Sequence, residues 1–272
     1  MKITLITVCW NSAKTIQTTL ASVEAQKGVA IDYWVVDGGS TDETVALLRA
    51  FEERVAGRAD FAFHWISERD RGLYDAMNKG IAHATGDLIG ILNADDALAS
   101  DETLAQIAAG FSAGASCDGV YADIRFVRDA ANPPITDLAA LRALPTVRYC
   151  TGKWFRPWMF RFGTQTAHPS TFFTKDCFAR WGVYSLDFGL YADFELLCRF
   201  IWKNRAKMRY LPLCTTVMRL GGASTNGWRT TLKINQMDLR ALKANGCWSC
   251  LPLLYSRYLF KIWGFVFRRL HK

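Results

Sequence analysis

Acidic residues are scarce in the second half of this chain. Residues 1–136 carry 11 Lys/Arg and 19 Asp/Glu, a net −8; the remainder carries 22 and 6, a net +16. An acidic half beside a basic half suggests a cation-using site in the first and an anionic partner for the second. The basic residues form no arginine-rich run, so nucleic acid is a poor partner, and their mixture with Trp, Phe, Tyr and Leu suits an anionic membrane surface better. No uninterrupted apolar run is long enough to span a bilayer: Arg257 and Lys261 break the aromatic segment Trp248–Lys272. Met1-Lys2 leads directly into a strand pattern, without the apolar stretch and small-residue cleavage site of a secretory leader. The expectation is a cytoplasmic protein, peripheral at the inner membrane face, with its 8 cysteines as free thiols. Cys247-x-x-Cys250 lacks the two further ligands that a zinc site needs nearby. The first predicted strand is followed by no G-x-G-x-x-G, which argues against an NAD-dependent oxidoreductase. Trp10-Asn11-Ser12-Ala13-Lys14 stands there instead of a glycine-rich cationic phosphate loop, which argues against a nucleotidyltransferase. No internal repeat or low-complexity stretch is visible.

What is present is a strand–helix alternation. Apolar β-rich runs at Ile3–Cys9, Ile31–Val36, Phe61–Ser67, Leu88–Leu92 and Gly119–Val127 predict buried strands. Helical periodicity predicts helices over Ser12–Gln26, Leu73–Ala84 and Ser100–Phe111, and one opening at Ser40, where Ser40 and Glu43 read as a capping box. This is the pattern of a mostly parallel sheet covered by helices on both faces. Regularity falls over 130–165, which contains Pro133, Pro134, Pro145 and Pro157 and reads as a long connection. Order returns at His168–Thr174 (strand), Asp193–Lys203 (helix) and Arg229–Ala244 (helix).

Three polar clusters follow predicted strands, where open α/β sheets bind ligands. They are Asp37–Asp42, Ser67–Gly72 and Asn93–Asp96. Adjacent carboxylates at Asp95 and Asp96 after a buried run face a desolvation problem that Mg2+ or Mn2+ would solve. A helix N-cap is the competing reading, but Ser100 and Asp101 already serve the next helix. Asp37 can accept hydrogen bonds from a base or ribose, and Gly38 and Gly39 let the chain turn sharply beside a ligand.

Thr7–Ser12, Asp37–Asp42, Asn78–Asp87 and Leu92–Asp96, in this order and spacing, resemble the family 2 glycosyltransferases over about residues 1–125. A weaker match continues through His168-Pro169-Ser170, Asp193–Arg199 and Gly221–Ser224, and Glu68–Gly80 resembles members that build bacterial surface polysaccharides. The resemblance implies a GT-A fold: a Rossmann-like, mostly parallel sheet flanked by helices, here with an amphipathic C-terminal extension. It implies an inverting transfer from a nucleotide-sugar donor, with UDP favoured, assisted by Mn2+ or Mg2+. Donor contacts then fall on Thr7, Asn11, Asp37, Gly38, Lys79, Asn93, Ala94 and Asp95, with Asp37 on the base. Asp95 matches the metal-binding Asp of the D-x-D element, with Asp96 assisting. Asn93 replaces the element's first Asp and can bond a ribose without charge.

Asp193 matches the family's catalytic carboxylate. Inversion needs one base for the acceptor hydroxyl. Glu195 points roughly 200° away around a helix, so only one of the two can face the site. A helix N-cap is the alternative for Asp193. His168, Glu195 and Arg199 are candidates for diphosphate or acceptor contact, with a structural role the alternative for His168 and a solvated or ion-paired one for Arg199. Trp154, Phe155 and Trp158 suit either sugar stacking or core packing. The predicted organisation is a donor half (1–125), an acceptor half (126–226) and a helical basic-aromatic extension (227–272). The acceptor is expected to be a glycan or a polyprenyl-diphosphate-linked glycan. The extension reads either as an interfacial helix or as one packed on the domain. A non-catalytic sugar- or lipid-binding protein on the same scaffold is the reading from a different class.

Overall fold

The computed structural model describes residues 1–221 and 228–257. Nine strands are present among them: β1 (Lys2–Cys9), β2 (Ala30–Asp37), β3 (Phe61–Ser67), β4 (Leu88–Ile91), β5 (Ala97–Leu98), β6 (Gly119–Val127), β7 (Thr146–Cys150), β8 (Thr171–Thr174) and β9 (Met208–Arg219). They form one sheet in the order β3-β2-β1-β4-β8-β6-β9-β5, with β7 also paired to β6. The helices are α1 (Ile16–Glu24), α2 (Thr44–Val55), α3 (Leu73–His83), α4 (Thr103–Ser112), α5 (Leu138–Ala143), α6 (Lys175–Trp181), α7 (Ala192–Leu197) and α8 (Trp228–Ala244).

Every side chain of β1 from Ile3 onward is buried, because apolar clusters cover both faces of the sheet. Ile3 and Leu5 pack with Tyr33, Val35, Leu48 and Phe51 on one face. Ile6 and Val8 pack with Val36, Met77, Phe173 and Phe200 on the other. Burying each such side chain contributes about 1.5–3 kcal/mol.

β1 to β4 pair in parallel, and beyond them only β6 and β9 do so. β8 runs antiparallel to β4 and to β6, and β5 and β7 also pair antiparallel, so four of the eight pairings are antiparallel. The sheet is evenly mixed rather than mostly parallel. β5, β7, α5 and the 12-residue β9 were not visible in the sequence. Pro212 disguises β9, and the chain accommodates it where the β6–β9 register shifts between Tyr121 and Asp123. The expected capping box at Ser40 is not formed. α2 begins at Thr44 with Glu43 before it, and Ser40 is used in the β2 turn described below.

The basic-aromatic extension begins as a packed element. Residues 251–257 are helical, Leu254 is fully buried, and Arg257 pairs with Asp238 of α8 at 2.9 Å. Tyr258, Lys261, Ile262, Phe265, Arg268, Arg269 and Lys272, on which the interfacial reading also drew, lie outside the described residues. Among the described residues no helix is long and apolar enough to cross a membrane.

Candidate active site

Parallel register brings the first two polar clusters level. Cys9, Asp37 and Ser67 are paired neighbours at the C-terminal ends of β1, β2 and β3. The Asp37 carboxylate is fully buried and organises its own turn. One oxygen accepts from Gly39 N–H (3.2 Å), Ser40 N–H (2.9 Å) and Ser67 Oγ (2.6 Å), and the other from the Ser40 hydroxyl. Ser40 Oγ in turn accepts from Asn11 N–H at 2.7 Å, and Asn11 Oδ1 accepts from Thr41 N–H at 2.9 Å. Asn11 sits at φ 50°, a conformation that Asn tolerates better than most residues. The β1 and β2 loops are thus stitched together.

Gly38 is the point of close approach. A Cβ there would lie 2.5 Å from Asp70 Oδ2 and 3.6 Å from Trp10 Cδ1. The Trp10 ring, 67% exposed, and Asp70 therefore form the surface over this turn. Neither was singled out from the sequence. Thr7, expected near the donor, is buried and accepts from Tyr33 OH at 3.0 Å, so its side chain faces the interior. Lys79 is also committed: its ammonium pairs with Glu68 at 2.7 Å and donates to Arg69 O at 3.1 Å, holding the loop after β3.

The Asn93–Asp96 turn follows β4, where Leu92 N–H donates to Ile6 O. The turn separates its two carboxylates. Asp96 is 1% exposed; Asn93 Nδ2 donates to one oxygen (2.9 Å) and Arg219 N–H to the other (3.3 Å). Burial, and then the charge of Asp95, push the Asp96 carboxyl well above the usual range. Asp96, expected to help hold a metal, thus faces the interior with both oxygens engaged. Asp95 is half-buried, and only its own N–H donates to its carboxylate among the described residues. Burial raises its pKa, and the Arg219 charge opposes the shift. Asn93 and buried Ala94 complete this turn.

Arg219 is the residue that sequence reading missed most plainly. Placed at the end of β9, it donates to Asp95 O (3.0 Å), Thr18 Oγ1 (2.9 Å) and Ile135 O (2.7 Å), and it pairs with Asp129. It fixes the Asp95 turn against α1 and the 129–135 segment. Its only sequence signal was a lone Arg at the end of an unrecognised strand.

Because β8 runs antiparallel to β4, the chain just before it, His168–Ser170, lies toward the C-terminal end of β4. There His168 Nε2 is 2.6 Å from Tyr184 OH. Burial lowers the His168 pKa below its ordinary 6.5, opposed by the charge of Asp193. Tyr184 packs against Tyr74 with ring centroids 5.2 Å apart. Asn78 of α3 clamps Tyr184 in place, donating to its carbonyl (2.8 Å) and accepting from its N–H (2.9 Å). The hydroxyls of Tyr74 and Tyr184 are raised far above the usual range, by burial first and by Asp193 second. They remain neutral donors at physiological pH.

Asp193, in the first turn of α7, is half-buried beside this ring cluster, and Gln165 Nε2 donates to it at 3.3 Å. Glu195 points elsewhere. It is 4% exposed, bonds Arg199 through both oxygens (3.1 Å each), and accepts from Asn245 Nδ2 at 3.1 Å. Arg199 also donates to the Trp181 and Val183 carbonyls. The pair ties α6, α7 and α8 together, so neither side chain joins the Asp193 cluster. Phe155 packs in the core against Tyr121 and Phe160, whereas Trp154 (68%) and Trp158 (55%) are exposed. Cys247 hydrogen-bonds Cys198 rather than joining Cys250 in a metal site, and all 8 cysteines are free thiols.

The motifs and the fold have counterparts among known proteins. A model of glycosyl transferase family 2 matches residues 4–180. The chain belongs to this family. It is 33% identical over 201 residues to an uncharacterized glycosyltransferase of Mycobacterium tuberculosis, covering 72% of this chain and 68% of that one. It is 27% identical over 216 residues to a PGL/p-HBAD biosynthesis glycosyltransferase of Mycobacterium bovis, covering 79% and 76%. The fold matches the mannosyltransferase PcManGT of Pyrobaculum calidifontis, solved with GDP-Man and Mn2+, at TM-score 0.64 and 20% identity over 94% of this chain and 68% of that one. It matches S. aureus TarS 1–349, solved with UDP-GlcNAc, at TM-score 0.59 and 14% identity over 89% and 66%. This chain spans 40% of a longer TarS chain. The GT-A architecture expected from the sequence is the one observed.

The donor set can be tested for fit to a divalent cation. Among the described residues no group of three His, Cys, Asp or Glu side chains converges. One open carboxylate, Asp95, stands on a turn fixed from behind by Arg219. A hard cation held by one or two carboxylates, with remaining positions for water and diphosphate, suits that arrangement.

Proposed function

We propose that this glycosyltransferase moves a sugar from a nucleotide-diphosphate sugar, with UDP-sugars favoured, to a hydroxyl of a cell-surface glycan or lipid-linked acceptor, with inversion at the anomeric carbon. The observation that carries the reading is the separation of carboxylate roles. Asp95 is open on the donor side, Asp193 stands half-buried beside the ring cluster with Gln165 as a donor, and Asp96 and Glu195 are consumed in structure. Mn2+ or Mg2+ held by Asp95 would neutralise charge developing on the leaving diphosphate.

The stitched turns of Asn11, Gly38 and Ser40, with Trp10 above them, seat the nucleoside. Asp37 acts here through the turn it holds, since its own oxygens are occupied. Asp193 takes the proton of the acceptor hydroxyl as its oxygen attacks the anomeric carbon from the face opposite the leaving group. His168, Tyr74 and Tyr184 keep this side dry, and the neutral Tyr hydroxyls add no competing base. The surface-glycan assignment takes support from the biosynthetic role in the name of the mycobacterial relative. A peripheral position at the inner membrane face takes support from the +16 of residues 137–272.

Asp193→Asn tests the base. Transfer should fall by about 10²–10⁴-fold while nucleotide binding is unchanged. Transfer at the original rate would remove Asp193 from this role.

A further inference from the structure

The segment just before Asp193 exposes more apolar surface than an aqueous loop needs. Leu186–Tyr191 is a 3-10 stretch broken at Gly189, where φ is 52° and ψ is −129°. Side chains rarely adopt that conformation. Past the break Leu190 is 59% exposed, although its carbonyl is fixed by Tyr74 OH at 3.2 Å. Leu186 is 38% exposed. A cavity of about 360 Å³ lies between this segment and Lys233 and Met237 of α8. Phe188 lines it.

Lys233, Met237 and Arg240 are spaced four and three residues apart, so they share one face of α8. Arg240 lies 5.1 Å from the Phe188 ring centroid and donates to Asp187 O at 3.3 Å. The groove therefore has a Leu, Phe and Met wall and two cations against the single exposed carboxylate of Asp187. Tyr191 also lines it and stands two residues before Asp193.

Sugar hydroxyls need polar partners, and this wall offers few. An apolar stem next to an anionic group matches both the wall and the cations. We propose that the groove seats a phosphate-bearing lipid as the acceptor's carrier, with its hydrocarbon against Leu186, Phe188, Leu190 and Met237 and its phosphate at Lys233. The hydroxyl to be glycosylated then reaches Asp193 from this side. This gives the carrier of the lipid-linked acceptor proposed above its seat in the fold and rests on that reading.

Calorimetric titration of the full chain with farnesyl phosphate below its micellar concentration, in EDTA, tests the groove without the donor site. Saturable binding is expected, with farnesol at least about tenfold weaker and inorganic phosphate not bound. Leu190→Asp and Lys233→Glu should each weaken farnesyl phosphate by about tenfold or more. Both residues are exposed, so both variants should keep the parent melting temperature. Leu251→Asp, at an exposed leucine on the 251–257 helix, should bind as the parent does. Unchanged binding in both groove variants would overturn the proposal. So would no binding of farnesyl phosphate, equal binding of inorganic phosphate, or binding only to phosphatidylglycerol vesicles. Asp193→Asn should bind the probe normally. Probe binding without any sugar transfer would sink the catalytic reading and leave the groove standing, and transfer without probe binding would do the reverse.

Discussion

The two ends of the site are built differently. On the donor side, consecutive parallel strands present their loops level with one another, and most contacts run between neighbouring loops. Asp37 finds donors within three residues and on Ser67, and Asn11 bonds Thr41. On the acceptor side the partners come from distant chain segments. Asn78 clamps Tyr184 across 106 residues, Tyr74 reaches Leu190 across 116, and Gln165 reaches Asp193 across 28. Local turns can be read from a motif, whereas a site assembled by tertiary contacts cannot.

The largest stability effect should come from Arg219, which ties the donor-side Asp95 turn to α1 and the 129–135 segment. Arg219→Ala leaves buried Asp129 unpaired and frees the Asp95 turn, and should cost about 3–5 kcal/mol in chemical denaturation. A loss below about 1 kcal/mol would show that Arg219 does not hold the Asp95 turn in place.

Asp96→Ala comes next. It strands Asn93 Nδ2 and the Arg219 N–H, an expected loss of about 1–3 kcal/mol by thermal unfolding. Asp95→Ala removes no such contact and should leave stability nearly unchanged. Equal destabilisation by the two variants would erase the distinction between a structural and an open carboxylate.

A smaller, pH-dependent effect should come from the acceptor side. The folded-state pKa of His168 lies below 6.5, so the unfolded chain binds its proton more readily. Its contribution to stability is complete above pH 6.5 and is lost as pH falls below it through the lowered folded value. Melting temperatures from pH 8 to pH 5 should fall more steeply for the parent than for His168→Gln. Parallel curves would mean that His168 titrates alike in both states.

The sequence showed most of the donor half. β3 and β6 were bounded correctly, and the three polar clusters fell at strand ends because hydrophobic runs stop where a loop must be solvated. It did not show which way each carboxylate turns. Asp95 and Asp96 are adjacent letters, and the hydrogen bonds of Asn93 and the distant Arg219 N–H to Asp96 tell them apart. The 200° argument separated Asp193 from Glu195, and Arg199 and Asn245 show where Glu195 goes. Lys79 looked available as a cation but is held by Glu68 and Arg69, and Arg199 is held by Glu195 at i,i+4 spacing and by the distant Trp181 and Val183 carbonyls. β9 was hidden by Pro212, and with it the position of Arg219. The 130–165 stretch read as unstructured because its order lies in β7, α5 and single contacts such as Gln165 to Asp193.

The central claim is that Asp95, and not its neighbour Asp96, holds the donor's metal. Calorimetric titration of UDP and of GDP, with and without Mn2+, into the parent, Asp95→Ala and Asp193→Asn proteins tests it directly. The account predicts Mn2+-dependent binding of one nucleotide, kept in Asp193→Asn and lost in Asp95→Ala. Mn2+-dependent binding that survives in folded Asp95→Ala would contradict it.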